Sequence, residues 1–312
     1  MNSFRDREPS HQAKRGKVTS PSFLKQILQE YGLHPHRRMG QHFLIDENIL
    51  NKIISSGELV PQDRVLDIGA GPGALSLAMA EKVSGIISIE WDGGLARLLC
   101  DEARLRGFDN IRVVEGDVRR LNLVDLCRST WGENALEPGE SPFIKVMANL
   151  PYYLTTPLLF QLLRSSLGVE RIVVMVQLEV ARRIVAQPAT RDYGVLSLLC
   201  RYYTEPELLF KVSRHVFYPP PAVDSAVIRL LRRASPPVSV LDEKFFWALV
   251  DAAFNKRRKT IVNALEGLAG LDREQWKKII EHAGIDPSVR GETLTLERFA
   301  KISEMLYNIK GP

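Results

Sequence analysis

A chain of 312 residues, 45% hydrophobic and 25% charged, has the length and composition to bury a sizeable core, as a large domain plus a smaller one. No apolar run approaches the roughly 20 residues that span a bilayer, and the polar, basic start lacks the apolar stretch of a secretory signal, so no membrane partner and a cytoplasmic location are expected. The formal charge of +5 is concentrated: residues 1–40 hold eight Lys/Arg against three Asp/Glu, which leaves 34 of each sign in the remainder.

A basic leading segment on a balanced body fits contact with a polyanion, and fits a solubilising tail equally well. The three cysteines, Cys100, Cys127 and Cys200, are scattered and odd in number, which suits reduced thiols rather than a disulfide framework. The six histidines show no metal-ligand spacing, so no metal is expected.

In chain order, residues 1–20 are polar and without periodicity, and disorder is expected there. The pattern of Phe23, Ile27 and Leu28 predicts a short helix over 22–31. Asp46 reads as the N-cap of a helix that carries Ile49, Leu50, Ile53 and Ile54. Strands and helices then alternate. Strands are predicted at 64–68, 85–90, 111–114, 143–148 and 170–177, and helices at 74–82, 94–105, 157–165, 179–186 and 195–201. A helix or loop is read at 121–131, and a surface insertion at 132–142.

Two further strands, 207–212 and 226–231, have no helix between them. The alternation predicts an α/β, doubly wound, mainly parallel sheet whose last strand is antiparallel. Ser235-Pro236-Pro237 marks a boundary, and beyond it only helical patterns occur. The organisation expected is a basic, partly disordered segment over 1–34, a catalytic domain over 35–234 and a small all-α domain over 235–312.

Two stretches carry chemistry. Asp67-x-Gly69-x-Gly71-x-Gly73 follows a strand and opens a helix. Its glycines allow close backbone approach to a ligand, and its spacing differs from the G-x-G-x-x-G of pyrophosphate sites. The leading acid at Asp67 suits a ligand with an ammonium group. Glu90 ends the next strand, where a carboxylate accepts both ribose hydroxyls, and Asp117 follows the third, placed for the amino group of an adenine. Together these point to S-adenosyl-L-methionine; Glu90 alone also fits a nicotinamide dinucleotide. The second stretch, Asn149-Leu150-Pro151-Tyr152, sits where an apolar strand opens into a loop, at the sheet edge where ligands of open α/β folds bind.

Several segments together carry a resemblance. They are Arg-Met-Gly-Gln-His-Phe-Leu at 38–44, the glycine turn, Asn-Leu-Pro-Tyr at 149–152, and Val-Gln-Leu-Glu-Val-Ala-Arg-Arg at 176–183. To these are added Tyr-Gly-Val-Leu-Ser at 193–197, Phe-Tyr-Pro-Pro-Pro-Ala-Val-Asp-Ser at 217–225 and Ala-Phe-Asn-Lys-Arg-Arg-Lys-Thr at 253–260. With them the chain resembles the ribosomal RNA adenine N6,N6-dimethyltransferases, more narrowly the branch acting on two adjacent adenines near the 3′ end of small-subunit rRNA. The resemblance runs from about residue 35 to the C-terminus.

The resemblance implies a Rossmann-like S-adenosylmethionine-dependent sheet and a division of labour. The Asn149 side-chain oxygen and the Leu150 carbonyl accept the two N–H groups of the target adenine. Pro151 fixes the turn, Tyr152 stacks on the base and Phe217 closes its other face. The donor falls to Gln41, His42, Leu44, Gly69, Gly71, Glu90, Asp117 and Asn149. Two departures stand out: His42 where Asn is common, and Asp67 where Glu is frequent. A main-chain contact at 42 would survive the change.

For RNA, the run Lys256-Arg257-Arg258-Lys259 favours phosphate contacts, and Arg37 and Arg38 extend a basic track. The partner implied is small-subunit rRNA in an immature small ribosomal subunit, bound by a monomer. The alternatives are a large-subunit adenine methyltransferase of the antibiotic-resistance type and a ribosome-assembly factor without catalysis.

Overall fold

A computed structural model describes residues 16–36, 39–132 and 144–310. The first helix, α1 (Pro21–Glu30), begins with proline, whose missing N–H falls where a helix has no use for one. It buries Leu24, Ile27 and Leu28. A two-residue strand, β1 (Phe43–Leu44), leads to α2 (Glu47–Ser56), and the Asp46 carboxylate caps that helix by accepting from the Ile49 N–H at 2.9 Å.

The alternating part follows as β2 (Arg64–Ile68), α3 (Ala74–Met79), β3 (Gly85–Glu90), α4 (Gly93–Leu105), β4 (Ile111–Glu115) and α5 (Leu123–Trp131). It continues as β5 (Ile144–Asn149), α6 (Thr155–Arg164), β6 (Val169–Gln177), α7 (Leu178–Val185), α8 (Val195–Tyr203), β7 (Thr204–Val212), β8 (Phe217–Tyr218) and β9 (Ser225–Arg232). Seven strands form one sheet in the order β4-β3-β2-β5-β6-β9-β7. The pairings from β4 through β6 are parallel, and β9 runs antiparallel to both its neighbours. The expected antiparallel last strand is therefore present.

β3, β5 and β6 are near-continuous apolar runs because both faces of the sheet are covered. Leu66, Ile87, Val146 and Val174 face one core, and Val65, Ile86, Met147 and Val173 face the other, with the period of two that a strand imposes. From β2 the chain builds β3 and β4 on one side and returns to place β5 on the other. The sheet thus has its switch point between β2 and β5, where a crevice opens at the carboxyl ends of the strands.

Four helices complete the chain: α9 (Glu243–Asn255), α10 (Ile261–Leu265), α11 (Arg273–His282) and α12 (Leu296–Lys310). Their apolar faces continue the core on one side of the sheet. Phe246 stacks on Tyr202 at 5.6 Å, Tyr193 meets Phe254 edge-on at 5.9 Å, and the buried Tyr193 hydroxyl donates to the Leu294 carbonyl at 2.9 Å.

Two differences from the sequence expectations have physical causes. Residues 16–20 are packed rather than disordered: Val18 joins α1 and α4 in a third core cluster, and Arg106 donates to the Gly16 carbonyl at 2.7 Å. The pairing of β1 with β8, Phe43 with Tyr218 and Leu44 with Phe217, is new, since strands of two residues leave no periodicity to read. The 256–259 run is a turn between α9 and α10. Arg37, Arg38, residues 1–15 and all of the 132–142 insertion but Gly132 lie outside the described residues.

Candidate active site

The crevice is built from two turns that touch. After β2 the backbone passes through left-handed conformations at Gly69 (φ 73°), Gly71 (φ 55°) and Gly73 (φ 91°), which glycine adopts without strain. A β-carbon at Gly69 would lie 2.8 Å from Pro151 Cδ, so the absence of a side chain there lets the 149–152 segment pack directly against the glycine turn.

At the end of β3, Glu90 is buried and accepts from the Gly71 N–H at 2.7 Å and the Asp92 N–H at 3.0 Å. Burial pushes its pKa up, and those two N–H groups oppose the shift. Each oxygen keeps a second lone pair for a ligand. Asp67, in the middle of the β2 end, is buried as well; Oδ2 accepts from the Ser76 hydroxyl, while Oδ1 has no partner among the described residues. Burial raises its pKa to about 7. Asp117 is held differently. The Arg119 guanidinium bonds both its oxygens, with Nη2 to Oδ2 at 2.6 Å, and keeps the carboxyl below the usual range.

The 36–44 segment closes the donor side. Gln41 accepts from the His36 N–H at 2.7 Å through Oε1 and donates to Asp92 Oδ2 at 3.2 Å, so it ties the segment to the start of α4. His42 places its Nδ1 2.7 Å from the Pro219 carbonyl, and its ring stacks on Tyr152 with centroids 5.9 Å apart.

On the acceptor side, Asn149 ends β5. Its Nδ2 donates to the His42 main-chain carbonyl at 3.1 Å, which orients the amide and leaves Oδ1 without a hydrogen bond among the described residues. Leu150 donates its N–H to the Met175 carbonyl at 3.1 Å, and Pro151 starts a single 3-10 turn (Tyr152–Leu154). The Tyr152 hydroxyl lies 2.9 Å from Ser225 Oγ, so the ring is anchored at its tip and supported by His42 on one side.

Gln41, His42, Leu44, Gly69, Gly71, Glu90 and Asp117 line a single cavity with Asn149, Leu150, Pro151 and Tyr152. Phe217 is not among them. The β1–β8 pairing turns its ring into the core with Leu44 and Ile53, where it is 3% exposed, so the expected second face of an aromatic clamp is not supplied by Phe217 in this structure.

Two further aromatic residues line the cavity, Trp91 and Tyr153, 45% and 48% exposed. The sequence signal for them is position alone: each directly follows a site residue, Glu90 and Tyr152. The Arg119 guanidinium lies 5.8 Å from the Tyr153 ring centroid and so bridges the donor and acceptor sides.

The basic turn lies away from the cavity. Lys256, Arg258 and Lys259 are exposed, whereas Arg257 pairs with Glu292 at 2.6 Å and donates to the Arg191 carbonyl, so it tethers the turn to the segment before α12 and to the loop between α7 and α8. Among the described residues there is no cluster of His, Cys, Asp and Glu able to hold a metal ion, and no helix long and apolar enough to cross a membrane.

A parallel sheet of this order, with a glycine turn and acidic strand ends at its switch point, is a Rossmann-like methyltransferase fold. The family model for ribosomal RNA adenine dimethylases matches residues 32–308. The ribosomal RNA small subunit methyltransferase A of Pelotomaculum thermopropionicum is 44% identical over 296 residues, covering 94% of this chain and 99% of the relative. That of Moorella thermoacetica is 46% identical over 289 residues, covering 93% and 98%.

Among solved structures, a dimethyladenosine transferase from Plasmodium falciparum superimposes with a TM-score of 0.71 at 23% identity, over 86% of this chain and 98% of that one. The 23S rRNA methyltransferase ErmE does so with a TM-score of 0.59 at 27% identity, over 85% and 99%. The chain belongs to the ribosomal RNA adenine dimethylase family.

Proposed function

We propose that the protein transfers methyl groups from S-adenosyl-L-methionine to N6 of two adjacent adenosines near the 3′ end of small-subunit rRNA, giving N6,N6-dimethyladenosines during small-subunit assembly. The observation that carries this reading is the Asn149 amide. Its nitrogen is committed to the His42 carbonyl, so its oxygen faces the crevice between the glycine turn and Tyr152.

The residues present fit the donor. The glycine turn offers a cradle that a side chain would fill, and Asp67 Oδ1 is a buried acceptor without a partner, as an ammonium group requires. Gly69 and Gly71 would hold it by close backbone approach, with Glu90 at the ribose hydroxyls, Asp117 at the adenine amino group, and Gln41, His42 and Leu44 closing the side. When bound, the donor supplies an electrophilic methyl on a sulfonium centre.

The chain's own groups act on the acceptor. The adenine N6 is a poor nucleophile because its lone pair is delocalised into the ring. The Asn149 oxygen and the Leu150 carbonyl accept its N–H bonds, draw the nitrogen toward a pyramidal form and aim its lone pair. This is catalysis by positioning and electrostatics. Tyr152, fixed by Ser225 and His42, stacks on the base after it leaves its helix and offsets part of the cost of flipping it. The alkylated nitrogen is acidic and releases its proton to solvent, so no strong general base is required.

Small-subunit specificity is favoured over the large-subunit alternative because the relatives at 44% and 46% identity are named for the small subunit, while the large-subunit enzyme is 27% identical. Lys256, Arg258 and Lys259 bind rRNA phosphates, with Arg257 holding their turn in place and Arg37 and Arg38 extending the track. The protein acts as a cytoplasmic monomer on an immature small subunit. Incubation of the purified enzyme with donor and either immature small or large subunits tests the reading; methyl transfer to the large subunit alone would overturn it.

A further inference from the structure

Two stretches that carry the family resemblance are largely unused by the site above: 176–183, and the end of 217–225. They converge beside the cavity on an open groove. Gln177, Glu179 and Arg182 line it from the end of β6 and from α7; Arg214, His215 and Asp224 line it from the segments around β8. The Leu178 N–H donates to the Asp224 carbonyl at 3.0 Å and joins its two walls.

The groove opens at the same edge of the sheet as the crevice. Ser225 pairs with Gln177 on one side and Val212 on the other, and Asn149 pairs with Met175, two residues before Gln177. With strands about 4.8 Å apart, two strand spacings put the groove floor on the order of 10 Å from Asn149. The partition between the two is the Tyr152 hydroxyl against Ser225 Oγ at 2.9 Å. The groove therefore lies next to the acceptor site, on the other side of that contact.

Its chemistry is that of a nucleotide site. Glu179 and Arg182 are exposed and make no side-chain hydrogen bond or ion pair among the described residues. Arg214 is steadied by one bond, from Nη1 to the Ala222 carbonyl at 3.0 Å, and retains further donors. Guanidinium groups thus stand ready for phosphate, and an acceptor-only carboxylate and an amide for a base edge.

We propose that this groove binds the nucleotide adjacent to the target adenosine on the same rRNA strand, with Arg182 and Arg214 on its phosphate and Glu179 and Gln177 reading its base. The inference rests on the proposed action on adjacent adenosines. A carboxylate accepts from a base edge with an exocyclic amino group, as in adenine. An N6,N6-dimethylated neighbour has no N–H left to donate. The groove therefore distinguishes an unmodified neighbour from a finished one and sets the order in which the two adenosines react.

The test uses the full-length protein and immature small subunits carrying either adenosine or purine riboside, which lacks the exocyclic amino group, beside the target. With the wild type, purine riboside at the neighbouring position is expected to lower the rate at the target roughly tenfold, and Glu179→Ala to abolish that difference. Arg182→Ala is expected to raise KM for the subunit roughly tenfold at unchanged donor affinity, which also reports that the variant is folded. A purine-riboside penalty that persists in Glu179→Ala, or an unchanged KM in Arg182→Ala, overturns the groove while the functional reading stands. Absence of transfer to any rRNA adenosine by the wild type overturns both.

Discussion

The side-chain nitrogen of Asn149 donates to the main-chain carbonyl of His42 at 3.1 Å. The contact crosses from the donor-side segment to the acceptor tetrapeptide and uses no atom of the His42 side chain. The ring has separate work: it supports Tyr152 and meets the Pro219 carbonyl. Replacement His42→Asn should therefore preserve donor affinity and the Asn149 amide orientation but loosen the stacking platform. An aromatic pair contributes about 0.5–1.5 kcal/mol beyond burial, so kcat/KM for RNA should fall by roughly three- to tenfold. Steady-state kinetics alongside calorimetric donor titration checks this; a large loss of donor affinity would contradict it.

Gly69 is where the two turns meet, and it tolerates no β-carbon. Gly69→Ala would set a methyl 2.8 Å from Pro151 Cδ at a φ of 73°, a left-handed conformation. A destabilisation of about 1–3 kcal/mol is expected in denaturant unfolding, together with loss of donor binding. Gly107 is also left-handed, with nothing within 4 Å of its β-carbon position. Gly107→Ala there should bear the conformational cost alone and keep donor binding.

Asp67 makes stability and donor affinity respond to pH in opposite senses. Its folded pKa, about 7, lies above the ordinary 3.8, because burial disfavours the charged form. The folded state thus holds a proton that the unfolded chain has released. The associated stability is fully present below the ordinary value and is lost as pH rises through about 7. Over the same rise the carboxylate forms, and affinity for the donor's ammonium group should increase. Asp67→Asn should flatten both profiles, measured as unfolding midpoint and donor dissociation constant between acid and mildly alkaline pH.

The basic turn predicts a salt dependence. If Lys256, Arg258 and Lys259 each neutralise a phosphate, changing all three to alanine should reduce the slope of log affinity against log salt by up to about 3 units. Arg257→Ala should act differently, because its guanidinium is committed to Glu292 and the Arg191 carbonyl. It should weaken binding by releasing the turn, with a smaller change of slope.

Much of this was legible in the chain. The apolar runs of β3, β5 and β6, the glycine turn after β2 and the acids at strand ends fixed a doubly wound sheet with a crevice at its switch point. What could not be read depends on partners distant in sequence. The two residues of β1 become a strand only because β8 lies beside them, and that pairing is what removes Phe217 from the cavity. Likewise the charge of Arg257 gave no sign of Glu292, and the polarity of residues 16–20 concealed the place that α4 offers Val18.

The central claim is that Asn149 orients and activates an adenine amino group, over and above any contact it makes with the donor. Mass spectrometry of small-subunit rRNA, after incubation with donor and either wild-type enzyme or Asn149→Ala, tests it most directly. Two adjacent adenosines carrying two methyl groups each are expected with the wild type. With Asn149→Ala, transfer should fall by about a hundred- to a thousandfold, the scale of removing one positioned hydrogen-bonding group, while donor affinity stays near that of the wild type. Dimethylation at the wild-type rate by Asn149→Ala would contradict the account.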